Sequence, residues 1–501
     1  MSPSLDLSTP SGIALALLPE LVLSACALVV LLVVAWRHQT AEDSRLAGWL
    51  SLASLVLSGA ALAGLWARGV HAAGLPFMIA LDDFRYAGAA LVLLLAAGTV
   101  LLSLAYLPRE QMLAPEYYPL TLLATAGMLF FLGAEDLIVV FLGLEVMSVA
   151  VYVLAGYDRR SAFSAEAALK YFLIGAFASG FLLYGIALVY GATGTTNLGA
   201  IGGQLVAGRM PLLGSLGLGL LLIGFGFKIA AVPFHMWAPD VYDGSPTPVT
   251  GFMATGVKTA AFLSLVRVLY EAFPGAIGVW QPIVGWLAVI TMVVGNLIAL
   301  SQKTLKRMLA YSSVAHAGYL LAAVWPGTRL SAGAVLLYLF AYGLTTLAAF
   351  GILAAMGREG ERDVTYDSIA GMGQSHPWLA FGMSVCMLSL LGFPGTVGFI
   401  GKWYILSSIV SLGQGPLAVI LVLASVLSAG YYLPVIMSMY MRPAPAGEPV
   451  RATFLARAAG VAVAVSVVAI LVFGVWPTGA VNAAGASAGT LAQTVTPVAG
   501  R

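Results

Sequence analysis

Apolar runs of about 20 residues recur along almost the whole chain, with only short polar joints between them. They cover 12–36, 46–67, 86–107, 117–133, 136–156, 165–190, 212–237, 247–270, 280–301, 304–325, 331–356, 376–409, 416–441 and 454–476. A run of that length crosses the hydrocarbon layer of a bilayer as a helix and is too long for a barrel strand. Lipid offers no partner to a backbone N–H or C=O, so each segment must pair its own polar groups internally. The expected fold is therefore all-α and integral to the membrane, with about 14 transmembrane helices. Of 501 residues, 9% are charged and 60% are hydrophobic, against roughly 25% charged in soluble domains. The longest joints, Gly191–Pro211 and Gly357–Ser375, leave no room for an extramembrane domain. The first run has no positive leader and exceeds a signal-peptide core, so it is expected to remain as a helix.

Several classes of function are excluded. The net charge is +2 with no Lys/Arg stripe, which argues against nucleic acid as a partner. Cys26 and Cys386 sit alone in apolar runs, and no zinc or iron–sulfur spacing exists. There is no dinucleotide fingerprint. The chain is expected to hold no cofactor or metal of its own.

The cationic residues set an orientation. With the N-terminus outside, the inner joints hold Arg37, Arg45, Arg109, Arg159, Arg160, Lys303, Lys306, Arg307, Arg358, Arg362, Arg442, Arg451 and Arg457. The outer joints hold Arg68, Arg85, Arg209, Arg267, Arg329 and Arg501. The excess of inner cations places both termini outside.

An internal repeat runs at an offset of 167. Tyr152-Val-Leu-Ala155 matches Tyr319-Leu-Leu-Ala322, Tyr171 matches Tyr338, and Gly224-Phe225 matches Gly392-Phe393 within one residue of that offset. Each unit holds five helices. Five is odd, so consecutive units lie upside down relative to each other, as in transporters whose broken helices mark the pathway. The seventh run is broken at Phe225–Pro233 and the twelfth at Gly392–Lys402. These features divide the chain into 1–115, three N-terminal helices; 116–275 and 276–442, two inverted five-helix units; and 443–501, a last helix and tail.

The four remaining cations, Lys170, Lys228, Lys258 and Lys402, all fall within runs. A charge at the bilayer centre costs about 2.5–3.5 kcal/mol on insertion scales. Snorkelling to an interface is the plain alternative, and Lys170, six residues into its run, is the most open to it. The chain has 17 Arg and only 6 Lys, yet every deep cation is Lys. A buried ammonium can give up its proton, whereas guanidinium cannot. Glu145 is read as the only acid far from a joint; it is either a structural partner for a lysine or a switch that holds and releases the proton on Lys228. His235 and His316 are possible relays, or hydrogen-bonded core residues. Tyr311, Ser312 and Ser313 suit ordered water or interhelical bonding. Asp240 and Asp243 suit a channel mouth, or a cap on the eighth helix.

The segment from Lys228 through Pro233, His235 and Trp237 to Lys258 resembles the signature of the antiporter-like subunits of respiratory complex I, as do the stretches around Glu145, Lys306–Ser313 and Gly392–Lys402. The resemblance implies fourteen helices in two inverted five-helix repeats. It implies that Glu145, Lys170, Lys228, Lys258 and Lys402 are proton-path residues. NADH, FMN, iron–sulfur clusters and quinone would belong to partner subunits, with M-type and K-type membrane subunits as neighbours in a bacterial cytoplasmic membrane. Lys402, where M-type chains carry Glu, and the short stretch after the last run make the chain most similar to the N type and less so to the L type. An Mrp-type cation/proton antiporter and a structural spacer with idle charges are the alternative functions.

Overall fold

The computed structural model describes residues 9–37, 41–71, 78–112, 115–205, 210–356, 364–444 and 457–491. Arg209, Arg358, Arg362, Arg451 and Arg501, which enter the orientation argument, lie outside them. The described residues are helical throughout, with only isolated β-bridges such as Ile79 to Ala134.

Among the described residues, ten helices are long and apolar enough to cross a membrane. Tyr117–Gly133, Leu212–Lys228, Leu305–Val324 and the broken pair Pro377–Leu391 and Val397–Val410 bring the crossings to the expected fourteen. The first run is not continuous: Pro10–Ala16 and Leu18–Trp36 are separate helices meeting at Leu17.

Burial sorts these helices into a centre and a rim. Thr247–Ala272 is buried along its whole apolar window and Arg329–Ala355 along 94% of it, whereas Leu18–Trp36 and Gly415–Met441 are buried along only a third. A helix apolar on all sides belongs inside, and one that buries a single stripe faces lipid with the rest. Leu32, Val56, Phe177 and Val426 are exposed on that lipid face.

Small residues let the antiparallel neighbours approach. A Cβ on Gly143 would stand 2.6 Å from the Phe131 nitrogen, so Tyr117–Gly133 and Leu137–Ala155 touch backbone to backbone. Membrane helices associate by such contacts because lipid removes the hydrophobic drive between them.

Both expected breaks are present. Leu212–Lys228 ends at Lys228, and the chain resumes as the short helix Trp237–Gly244. Trp237 Nε1 donates to the Phe227 carbonyl at 3.0 Å, satisfying a group the lost helical turn would leave bare. The second break falls between Leu391 and Val397, with Gly392 and Gly395 at φ +86° and +90°. The eighth crossing carries a further irregularity: a π-helical turn, Met253–Val257, immediately before Lys258. Such turns often mark functional positions.

Candidate functional site

Three of the four lysines lie deep in the protein. Lys228, Lys258 and Lys402 are 3%, 2% and 7% exposed. Among the described residues none has a carboxylate within 4.0 Å; each ammonium instead binds hydroxyls or carbonyls and lies near a tyrosine ring. A cation held by neutral partners can lose its proton without stranding a buried anion.

Lys228 closes the last turn of its half-helix. Its Nζ donates to Ser148 Oγ at 2.7 Å and Tyr171 Oη at 3.3 Å. Glu145, half-buried one turn before Ser148, accepts from Ser179 Oγ. Glu145 and Lys228 therefore do not touch. A cavity of about 10 Å³ is lined by Lys228 and by Ser179, the partner of Glu145, among others, about the space of one water.

Lys258 Nζ donates to both the carbonyl and the hydroxyl of Ser313, each at 2.5 Å. Tyr342 Oη donates to the same hydroxyl at 2.9 Å. One turn along, the His316 ring lies 5.0 Å from the Tyr342 ring, and its nitrogens pair with Tyr338 Oη at 2.7 Å and Tyr432 Oη at 3.1 Å. Ser312 also bonds Tyr432 Oη. Lys402 Nζ lies 4.7 Å from the Tyr319 ring centroid, and Tyr319 lies edge-on to His316.

Lys402 reaches its place unlike Lys228. It lies in the helix after its break, yet its Nζ turns back to the Leu390 and Leu391 carbonyls at 3.0 and 2.9 Å and to Ser425 Oγ at 2.8 Å. Those carbonyls end the preceding half-helix, where the helix dipole favours a cation. Lys228 sits at the corresponding C-terminal end by its own backbone position.

A polar line thus runs through the buried centre. From Lys228 it passes Tyr171, stacked at 4.4 Å on Trp237, and Tyr242 beyond it, then Ser313 with Lys258, then His316, then Tyr319 with Lys402.

Other sequence expectations fare differently. Lys170 is not deep: its side chain is 39% exposed and pairs with Glu166 at 2.7 Å and Asp240 at 2.8 Å. Arg307 pairs with Asp240 and Asp243 at 3.1 and 3.6 Å. Asp240 and Asp243 are therefore members of an ion cluster in the short helix. They do not cap the eighth helix, whose cap position is Pro246 with no side-chain bond. His235 is half-buried at the first break, its Nδ1 has no hydrogen-bond partner among the described residues, and it stands apart from the lysine line.

Several buried charges escaped the sequence reading. Lys306, counted with the inner joints, is 0% exposed and donates to the Ser245 carbonyl at 2.8 Å. Arg85 and Arg267, counted with the outer joints, are 0% and 1% exposed. Arg85 pairs with Glu20 at 2.7 Å, and Arg267 with Asp82 and Glu271 at 2.8 Å. Glu20 and Glu271 are buried with their partners, so Glu145 is not the only interior acid. The missed signal was the pairing itself: an acid and an arginine in runs that meet only in space leave no local pattern. No group of three or more His, Cys, Asp or Glu suited to a metal occurs among the described residues.

The family described as NADH:quinone oxidoreductase/Mrp antiporter, transmembrane, matches residues 134–428. The NADH-quinone oxidoreductase subunit N of Gemmatimonas aurantiaca is 46% identical over 99% of this chain and 97% of that one. That of Trichlorobacter lovleyi is 44% identical over 85% of this chain and 87% of its own. Among solved structures, a chain of respiratory complex I from Thermus thermophilus with bound aureothin is 36% identical, with a TM-score of 0.79 over 93% of this chain and 99% of that one. A chain of the Mrp complex from Dietzia sp. DQ12-45-1b superposes with a TM-score of 0.83 over 97% of this chain and 98% of that one, at 22% identity. At that identity the likeness is one of fold.

Proposed function

We propose, for a chain that belongs to the NADH:quinone oxidoreductase/Mrp antiporter transmembrane family and, within it, with the NADH-quinone oxidoreductase subunit N proteins, that it carries protons along the line from Lys228 through Lys258 and His316 to Lys402. The chain is a multi-pass membrane subunit of that oxidoreductase. Electron transfer from NADH through FMN and iron–sulfur clusters to quinone takes place in partner subunits, and the released energy reaches this chain as shifts of charge along the membrane arm. M-type and K-type membrane subunits are its neighbours.

The observation that carries this reading is the continuity of the polar line at membrane depth. Three lysines, a histidine and their aromatic and hydroxyl partners lie in sequence through helices that are otherwise apolar. An idle cation would cost about 2.5–3.5 kcal/mol on insertion scales. Each lysine passes a proton forward when its own charge is disfavoured and recovers one from behind. Glu145, bonded to Ser179, biases Lys228 from behind the small cavity that Ser179 and Lys228 line; ionised, it favours the charged amine.

We also assign the units 116–275 and 276–442 as inverted repeats, each contributing one broken helix, with 1–115 and 443–501 flanking them. Both termini lie outside, and protons enter from the cytoplasm and leave near Lys402. The high identity to the subunit N proteins favours this function over that of an Mrp antiporter.

Proton pumping and electron transfer in membrane vesicles test the reading. Lys228→Ala is expected to lose both in the assembled complex, and Lys228→Arg is expected not to restore them, because guanidinium keeps its proton. Normal pumping by Lys228→Ala would make the chain a scaffold.

A further inference from the structure

The proton line has a centre but, so far, no entrance, and the buried Lys306 points to one. A cavity of about 120 Å³ opens at the inner end of the sixth and seventh crossings, lined by the charged groups Glu166, Lys170, Asp240, Asp243 and Arg307. A single water needs about 10–15 Å³ measured this way, so the cavity has room for several. Its floor is the short helix Trp237–Gly244, and Ser245, the next residue, accepts from the fully buried Lys306 at 2.8 Å. Lys306 is adjacent in sequence to Arg307 of the cavity wall. It lies in the first turn of the helix Leu305–Val324, on which Ser313 lies seven residues further along. Seven residues are two turns and about 10 Å, so Lys306 and Ser313 share one face. Ser313 is the residue that holds Lys258.

Resting on the proton-path reading, we infer that Lys306 is the inlet residue through which protons pass from this vestibule to Lys258. Neutral Lys306 takes a proton from vestibule water and becomes an ammonium. It then gives that proton, along the Ser313 face of its helix, to neutral Lys258, and returns to the amine. The ion pairs of Lys170 with Asp240 and of Arg307 with Asp240 and Asp243 stand across the vestibule. The residue types match this division of roles. Of the two wall cations, Arg307 never loses its proton and Lys170 is held by Glu166 and Asp240, whereas the cation behind them is a lysine, which can give its proton up.

The test uses the whole complex in inside-out vesicles, with NADH-driven pumping and the amount of assembled complex measured for Lys306→Met, Lys306→Arg and Lys258→Ala. A positioned proton-transfer group contributes roughly 100-fold or more. Lys306→Met is therefore expected to lower pumping per assembled complex about tenfold or more, allowing for slower bypass through water, and Lys306→Arg is expected not to recover it. Recovery with Arg overturns the inference, because a fixed cation on Ser245 would then suffice. Normal pumping by Lys306→Met overturns it too, as does a failure of both variants to assemble, which would make Lys306 a structural cation. The Lys258→Ala control separates the two levels: if it abolishes pumping while Lys306→Met does not, the inlet is wrong and the central path stands. If neither changes pumping, both are wrong.

Discussion

Ser313 offers the ammonium of Lys258 both its backbone carbonyl and its side-chain hydroxyl, each at 2.5 Å. A hydrogen bond to a charged group contributes about 1.5–3 kcal/mol. Ser313→Ala removes the hydroxyl from Lys258 and from Tyr342 and leaves the carbonyl. We expect roughly tenfold slower pumping, since 1.4 kcal/mol is a factor of ten, with Ser313→Thr close to the unaltered chain. Vesicle pumping measures this, and an alanine variant as fast as the parent would detach Ser313 from the path.

Gly392 makes room for Lys402. Its φ is +86°, and a Cβ there would stand 2.9 Å from Lys402 Cδ. Gly395 has a similar φ of +90° but open space around its Cβ position. An alanine at either carries backbone strain of about 1–3 kcal/mol, and only Gly392→Ala also displaces the lysine. Both variants are expected to lower the thermal midpoint of the complex, while only Gly392→Ala loses pumping. Equal pumping by the two would mean that the position of Lys402 does not matter.

Glu20 and Arg85 tie the first crossing to the third at 2.7 Å, with both side chains buried. Arg85 also donates to the Ala80 and Ala16 carbonyls. Removing one partner leaves an uncompensated buried charge, at a cost of about 3–5 kcal/mol. Glu20→Leu and Arg85→Met are each expected to reduce assembled complex sharply, and the double variant to recover much of the loss. A double-mutant cycle of thermal midpoints reads the coupling; simple additivity would show the pair to be energetically idle.

The periodicity of apolar runs was enough to place fourteen crossings, because hydrocarbon accepts little but a helix of fixed length. Tyr117–Gly133 falls on the expected limits, and the seventh and twelfth helices break where proline or glycine interrupts the run. Lys228, Lys258 and Lys402 were likewise legible, since a lysine in the middle of an apolar run has few surfaces to reach.

Depth at the ends of the helices was not legible. Lys170 and Lys306 both lie near helix starts. The first emerges into an ion cluster and the second is sealed against Ser245, because the short helix Trp237–Gly244 folds back between them. Arg85, Arg267, Glu20 and Glu271 look like residues near joints or strays in a run until the helices pack and each finds its counter-charge. Sequence alone determined which segments enter the membrane and that lysines enter with them, because the bilayer reads composition one segment at a time. Tertiary structure alone decided which charges meet, which hydroxyls they meet and which remain wet, because those outcomes depend on neighbours far apart in the chain.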